Sequence, residues 1–240
     1  LDYKRPKFMP NFMVEANYEF EDNGGNLGVL TPQILRRQEY WTMLSGATGQ
    51  LYGNHSTWQF LNDWQSNLNT PGTIQLGYLK ALFESRAWYD LIPDQDHSVV
   101  TAGYGTFTTN GTVISSDYAT AAGTADGSLV MAYMPTSRPL TVDMSKMSGA
   151  ATARWYDPSS GVYAAIPGSP FANTGAQDFI PSGNNSDGHG DWVLVLESSS
   201  PFILAEGRDS GLFYEPNQVR QYSAGFLTAS VTARGTYSGL

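Results

Sequence analysis

The stretch PNFMVEANYEFED, residues 10–22, decides how the first part of the chain is interpreted. An apolar run passes directly into four acidic residues, and no turn residue separates the run from Glu15. Residues 8–14 are therefore expected to form a strand buried on both faces, as in a parallel sheet covered by helices. A carboxylate at the end of such a strand calls for either a structural or a chemical explanation.

Strand and helix signals alternate through the first 95 residues. Residues 31–46 predict a helix, with Thr31 as its N-cap, a proline at its first position and Gly46 just past its end. Residues 49–60 predict a short strand that runs into a polar loop, and residues 72–89 predict a second helix of apolar periodicity. The resulting order of strand, helix, strand, helix indicates an α/β fold for residues 1–95.

The second part of the chain has a different pattern of apolar and turn-forming residues. Short apolar runs such as SLVMAYMP, PLTVDM, ATARWYDP, GVYAAI and DWVLVLE alternate with Gly, Asn and Pro, and DPSSG at residues 157–161 predicts a hairpin turn. This spacing predicts an antiparallel, all-β sandwich over residues 96–198, with residues 181–191 as a flexible loop. Residues 199–240 remain unassigned apart from one plausible strand at residues 226–233.

Composition excludes several functional classes. The formal net charge of −9 and the pI near 4.6 oppose binding to nucleic acid or to anionic membranes. No apolar run approaches the roughly 20 residues that cross a bilayer. Without cysteine, the chain can form neither disulfides nor thiolate sites. No serine-nucleophile elbow or phosphate-binding loop is present, and we expect no cofactor.

Two strand and helix units are too few to cover a parallel sheet. A closed eight-unit barrel requires about 250 residues. We therefore expect residues 1–95 to be the last two units of a (β/α)8 barrel that begins upstream of Leu1. In that arrangement Glu15 lies at the C-terminal end of strand seven, on the face where such barrels hold their active sites.

Three motifs of the first part resemble the closing third of apiosidase-like glycoside hydrolase barrels: VEANYE at residues 14–19, RRQEYWTMLSGATGQLYGNHSTW at 36–58 and YLKALFESRAWYDLIPD at 78–94. DGSLVMAYMPTSRPLTVDM, ARWYDPSSGVY and GDWVLVLE resemble the sandwich domain that follows these barrels and is labelled collagen-binding. The resemblance implies two catalytic carboxylates, on strands four and seven. Glu15 matches the strand-seven position, and the strand-four aspartate is expected upstream.

Alternatives stay open for each candidate residue. Glu15 acts as a catalytic carboxylate, or it caps a helix or pairs with Arg36 or Arg37. Glu19 contacts substrate or, as we prefer, fixes its loop through a hydrogen bond. Tyr18 orients Glu15 or simply packs. Three further candidate substrate-binding residues are Tyr52, His55 and Trp58, with the alternatives that Trp58 belongs to the barrel rim and that His55 is simply solvated.

A metal site is rejected, because Asp187, His189 and Asp191 lie in a segment typical of turns. The sequence thus predicts the C-terminal fragment of a secreted or periplasmic glycoside hydrolase that acts on plant or microbial polysaccharide or oligosaccharide. The fragment itself is expected to be inactive. The alternative is a non-catalytic module in which the sandwich binds collagen or glycan.

Overall fold

The structure of the chain is a computed structural model that describes residues 9–22, 29–106 and 113–198, and the backbone of 223–224 and 227–228. It is mostly sheet with few helices. The chain divides into two units, Leu1–Pro201 and Phe202–Leu240. In the second unit the structure describes one antiparallel pair, β12 (Ser223–Ala224) with β13 (Leu227–Thr228). Of the strand predicted at 226–233, only the two residues of β13 are described, and they are extended.

The described residues of the first unit form eleven strands and three α-helices. The helices are α1 (Pro32–Leu44), α2 (His55–Trp58) and α3 (Pro71–Glu84). The strands are β1 (Phe12–Met13), β2 (Gly49–Gln50), β3 (Leu91–Pro93), β4 (Val100–Ala102), β5 (Thr120–Thr124), β6 (Leu129–Met134), β7 (Leu140–Asp143), β8 (Ala151–Asp157), β9 (Val162–Ala165), β10 (Ala176–Phe179) and β11 (Trp192–Ser198).

Helix α1 begins and ends as the sequence predicted. The Thr31 hydroxyl accepts a hydrogen bond from the amide of Ile34 at 3.4 Å, and Pro32 occupies the first helical position. Gly46 has a φ of 91°, the left-handed conformation that a glycine adopts without steric cost. Local capping chemistry therefore fixes both ends of this helix.

The strand predicted over residues 8–14 is wrong in length and in burial. Only Phe12–Met13 is extended and paired, parallel to Gly49–Gln50, and residue 8 lies outside the described residues. Phe12, Met13 and Val14 are 49%, 38% and 67% exposed. Burial of a parallel strand requires covering elements on both faces, and within the described residues β1 pairs on one side only.

Two further predictions near the helices need correction. Residues 55–58 form helix α2 instead of a polar loop, because the side chain of Asn54 caps it by accepting from the amide of Ser56 at 3.0 Å. The second predicted helix ends at Glu84, five residues early. After a turn and a short 3-10 helix at Trp88–Asp90, the chain enters β3, which pairs with β5.

The antiparallel part contains two sheets. Six strands follow the order β3-β5-β6-β11-β8-β9, and three follow the order β10-β7-β4. The five strands predicted from apolar runs are present as β6, β7, β8, β9 and β11, and Gly161 closes the predicted β8–β9 turn at a φ of 73°. Strands β3, β4, β5 and β10 escaped sequence analysis because they are short or, like β5 with its TAAGT sequence, built of small residues.

Alternate residues of the six-stranded sheet enter two different cores. From β6, Val130 and Ala132 join the cluster shared with the three-stranded sheet, whereas Met131 and Tyr133 join the cluster shared with helices α1 and α3. In the second cluster the Tyr40 ring of α1 stacks on Tyr133 with centroids 4.8 Å apart. Because both faces are covered, the central strands read as continuous apolar runs.

Candidate functional site

Several residues of the acidic stretch that follows β1 line an open cleft. Glu15 is exposed, and the Tyr18 hydroxyl donates to its Oε1 at 3.2 Å. Desolvation, then the hydrogen bond to Glu15 and its charge, raise the pKa of Tyr18 above its usual value. Tyr18 therefore stays protonated at neutral pH and serves as a donor to the Glu15 carboxylate.

The two arginines that the sequence offered as structural partners for Glu15 point elsewhere. Arg36 pairs with Asp191 and Asp187, at 2.9 and 2.7 Å. Arg37 donates to backbone carbonyls, the shortest of these bonds reaching Ile114 at 2.7 Å. The arginine-pairing explanation for Glu15 is wrong, because both guanidinium groups are engaged with partners far along the chain.

Glu19 lies beneath the cleft and is fully buried. Its carboxylate accepts hydrogen bonds from the hydroxyl of Thr70 at 2.5 Å, the amide of Gly72 at 2.9 Å and the hydroxyl of Tyr52. A Cβ on Gly72 would lie 2.7 Å from the Glu19 carboxyl group, so the close approach depends on glycine. The carboxylate thereby satisfies the amide of Gly72 at the start of α3, which is the geometry of the loop-fixing alternative.

Tyr52 is half-buried and belongs to this same buried group. Its hydroxyl lies 3.0 Å from the hydroxyl of Thr70 and also contacts the side chain of Asn54 at 3.4 Å. Desolvation, followed by the hydrogen bond to Glu19, raises the pKa of Tyr52. Its hydroxyl is therefore occupied with holding Glu19, and a direct role toward substrate stays a prediction.

A kink at Phe20 separates Glu19 from Glu21. In a regular strand, residues two apart share a face. Phe20 instead adopts a left-handed backbone with a φ of 59°, so Glu19 is buried while Glu21 lines the cleft. Sequence analysis missed Glu21, since nothing in NYEFED signals the kink that turns its side chain toward the open side.

Glu21 holds two of the predicted binding residues. Its Oε2 lies 2.8 Å from Nδ1 of His55 and accepts a hydrogen bond from the indole Nε1 of Trp58 at 2.9 Å. The hydrogen bonds from Trp58 and His55 lower the pKa of Glu21, so it is a carboxylate at neutral pH. Helix α2 positions both partners, because His55 is its first residue and Trp58 its last. The side chain of Asn54 caps the start of the helix.

A cleft of about 200 Å³ is lined by Glu15, Ala16, Tyr18, Glu21 and Trp58. The Trp58 ring is 55% exposed and meets the Tyr18 ring edge to face at a centroid distance of 6.1 Å. Gly53 admits Tyr18, since a Cβ there would lie 2.2 Å from the ring. Two carboxylates and two aromatic rings thus share one solvent-accessible wall.

A buried polar cluster lies apart from the cleft and joins α1 to the loop at residues 181–191. The guanidinium of Arg36, 1% exposed, donates to Asp191, Asp187 and Gln75. Burial alone would lower the pKa of Arg36, but the hydrogen bond and charge of Asp191 raise it above its usual value. The loop was predicted to be flexible, and that is wrong at Asp191, which is fully buried in these contacts.

The described residues contain neither a cluster of candidate metal ligands nor a helix suited to a membrane. Across residues 9–22, 29–106 and 113–198, no group of three or more His, Asp or Glu side chains is placed to hold a metal ion. Within the same ranges, no helix combines the length and the apolar character that crossing a membrane requires. His189 lies in the loop whose two aspartates contact Arg36.

Comparison with known protein families gives two matches. Residues 1–90 match the family model described as "Apiosidase-like, catalytic domain", and residues 106–197 match the one described as "Putative collagen-binding domain of a collagenase". Both confirm the resemblance on which the sequence predictions rest. No curated protein matches the chain.

Two solved structures are similar to this chain. A glycoside hydrolase is 30% identical to this chain with a TM-score of 0.67, and the match covers 81% of this chain and 44% of that protein. A glycoside hydrolase family 5 protein from Bacteroides vulgatus is 26% identical with a TM-score of 0.67, over 80% of this chain and 42% of that protein. This chain therefore spans less than half the length of either structure.

Proposed function

We propose that this chain, whose two domains are of the apiosidase-like catalytic and collagen-binding types, is the C-terminal portion of a glycoside hydrolase. The enzyme would cleave glycosidic bonds of plant or microbial polysaccharide by a two-carboxylate mechanism. Residues 1–95 would close a (β/α)8 barrel, and residues 96–198 would form a β-sandwich packed against it. The order of the two matches along the chain supports this division.

One observation carries the proposal: Glu15 is an exposed carboxylate in a cleft walled by aromatic rings. Hydrolysis of a glycosidic bond needs two carboxyl groups on either side of it, one of which acts as nucleophile or as base. Glu15 suits either role, because its side chain is open to a ligand and oriented by the Tyr18 hydroxyl. Trp58 offers an exposed ring face for a sugar ring.

Glu21 is not the general acid in this proposal. A general acid works best when its pKa is raised toward neutrality, whereas the hydrogen bonds from Trp58 and His55 lower the pKa of Glu21. We assign Glu21 as a positioning residue. Its carboxylate holds the Trp58 ring in the cleft wall and also contacts the His55 ring. The second catalytic carboxyl group would come from strand four of the barrel, upstream of these residues.

The 240-residue chain alone is therefore expected to be inactive. General acid assistance contributes typically about 10² to 10⁴ in rate, and the substrate would also lack part of its binding walls. The parent protein would act outside the cytoplasm, where polysaccharide is found, so we propose secretion or export to the periplasm. Release of sugar from an aryl glycoside by the isolated chain would contradict the assignment.

The principal experiment compares variants of the longer protein that carries this segment. Glu15→Gln removes the charge but keeps the shape, and we expect release of reducing sugar from plant polysaccharide to fall by at least about 10². The matched control is Glu84→Gln, because Glu84 is exposed at the end of α3 and pairs only with Lys80. Normal turnover by the Glu15→Gln variant would remove Glu15 from the mechanism.

The non-catalytic alternative assigns collagen or glycan binding to the sheets. The contacts favour a supporting role, because the six-stranded sheet presents one face to α1 and α3 through Tyr133 and Tyr156. Trp88 and Leu91 pack against the same cluster. Retention of the intact chain on immobilised collagen, undiminished by excess polysaccharide, would favour the binding alternative instead.

A further inference from the structure

Phe60 is an exposed aromatic residue held in an unfavourable backbone conformation. Its side chain is 71% exposed and its φ is 52°. It occupies the position after the C-cap of α2, where its amide bonds to the carbonyl of Thr57 and the next amide, of Leu61, bonds to that of Ser56. This is the Schellman arrangement, in which the left-handed residue is usually glycine.

A phenylalanine at that position gains little from the fold beyond its contact with Trp64. The left-handed conformation brings Cβ against the backbone, and an exposed ring contributes little burial of its own. Strained residues with exposed side chains are found at ligand-binding sites more often than elsewhere. The placement of Phe60 therefore points to a use of its ring outside the folded core.

The Phe60 ring has an aromatic neighbour, and its residue is near a cleft residue along the chain. Trp64 meets Phe60 edge to face with centroids 5.5 Å apart. Phe60 follows Trp58 by two residues, which limits the distance between their Cα atoms to about 7 Å. Phe60 and Trp64 thus follow Trp58 closely along the chain and form a contacting aromatic pair of their own.

The segment around these rings is neutral and rich in amides. Residues 59–69 contain a single charged residue, Asp63. Amide side chains both donate and accept hydrogen bonds, which suits the hydroxyl groups of a sugar better than a charged partner surface. Five of them lie in this segment: Gln59, Asn62, Gln65, Asn67 and Asn69.

We propose that Phe60 and Trp64 form an aromatic platform that binds a neutral sugar unit of the polysaccharide beyond the unit contacted at Glu15 and Trp58. The ligand class rests on the proposed function, while the platform itself rests on the geometry of α2 and the segment after it. The enzyme would then prefer polymeric substrates over short ones, because only a longer ligand reaches both places.

The test is affinity electrophoresis of the longer protein in gels that contain β-glucan, galactomannan or arabinoxylan. Phe60→Gly keeps the Schellman turn and relieves the left-handed strain, so its melting temperature should equal or exceed that of the wild type. We expect it to weaken retardation about tenfold in at least one of the gels. The matched control is Tyr89→Ala, which removes another exposed aromatic ring, 68% exposed and paired edge to face with Trp88.

Three results would overturn the platform: no retardation of the wild type in any gel, equal retardation of the Phe60→Gly variant, or an equal loss in Tyr89→Ala. A change that appears only in the sedimentation coefficient would also overturn it, by assigning Phe60 to self-association. Glu15→Gln separates the two proposals. Loss of turnover with unchanged retardation supports both, whereas unchanged turnover contradicts the catalytic assignment and leaves the platform result standing.

Discussion

The open cleft and a buried layer of polar side chains outside it use the same residue types in opposite ways. In the cleft, Glu15 is exposed and Glu21 is held by two rings. In the buried layer, Glu19 receives several protein donors and Arg36 is enclosed by Asp191 and Asp187. Only four positions of chain separate Glu15 in the cleft from Glu19 in the buried layer.

The difference teaches how to distinguish a functional carboxylate from a structural one. A buried charge must be matched by partners within the protein, so its hydrogen-bonding capacity is already used. An exposed carboxylate in a cleft keeps capacity for a ligand. Loss of a side chain should therefore lower stability in the buried layer and weaken ligand binding in the cleft. Three stability measurements test this expectation.

The largest effect is expected at Arg36. Arg36→Leu leaves Asp191 buried without its cation, and breaking a buried pair in this way costs about 3 to 5 kcal/mol in the free energy of unfolding. Urea denaturation of the chain measures the loss. Lys80→Ala is the control, because Lys80 and Glu84 are 68% and 56% exposed and such surface pairs contribute at most about 1 kcal/mol. Equal effects would show that the Arg36 cluster does not stabilise the fold.

The second effect concerns pH. Burial raises the pKa of Glu39 from 4.5 to about 8, with the charge of Arg36 opposing and that of Glu19 adding to the rise. Because the folded pKa lies above the unfolded one, the stability that Glu39 contributes is fully present below pH 4.5 and is lost as the pH rises toward 8.

Between pH 5 and pH 8 the wild type should lose about 3 kcal/mol through Glu39, which Glu39→Gln should not lose. Denaturation curves of both proteins across this range measure the difference. Glu84→Gln serves as the control at an exposed site. Parallel pH profiles for wild type and Glu39→Gln would mean that Glu39 titrates normally and is not part of the buried layer.

The smallest effect comes from one substitution made at two positions. Glu19→Gln removes the charge that three donors face and should cost about 1 to 3 kcal/mol. Glu15→Gln should change stability by less than about 0.5 kcal/mol, because its side chain is exposed. The comparison fails if the two variants unfold at the same denaturant concentration, or if Glu15→Gln is the less stable one.

Sequence analysis succeeded where structure depends on near neighbours. Thr31, Pro32 and Gly46 fixed the ends of α1, and the hairpin turn at 157–161 followed from its residues. It failed at Phe12–Val14, where burial depends on which elements pack against the strand. It also failed at the end of the second helix, since the pattern of apolar residues continues past Glu84 while the backbone turns.

The candidate site was predicted in part. The motif that contains Glu15, Tyr18 and Glu19 and the segment that contains His55 and Trp58 were both selected from the sequence, and the structure places Glu15, Tyr18 and Trp58 in one cleft. Glu21, which connects His55 to Trp58, was missed. A left-handed residue other than glycine leaves no clear signal in a sequence, so its effect on side-chain direction could not be foreseen.

The ends of α1, five strands of the antiparallel part, the family resemblance and the motif that holds Glu15 followed from the sequence, because capping, apolar periodicity and family motifs are properties of short stretches. The tertiary structure alone decided which carboxylate is buried and which is open. It also decided that Arg36 meets Asp191, 155 positions away. Such contacts follow from how layers pack, and packing brings together residues whose separation along the chain carries no information about their distance in space.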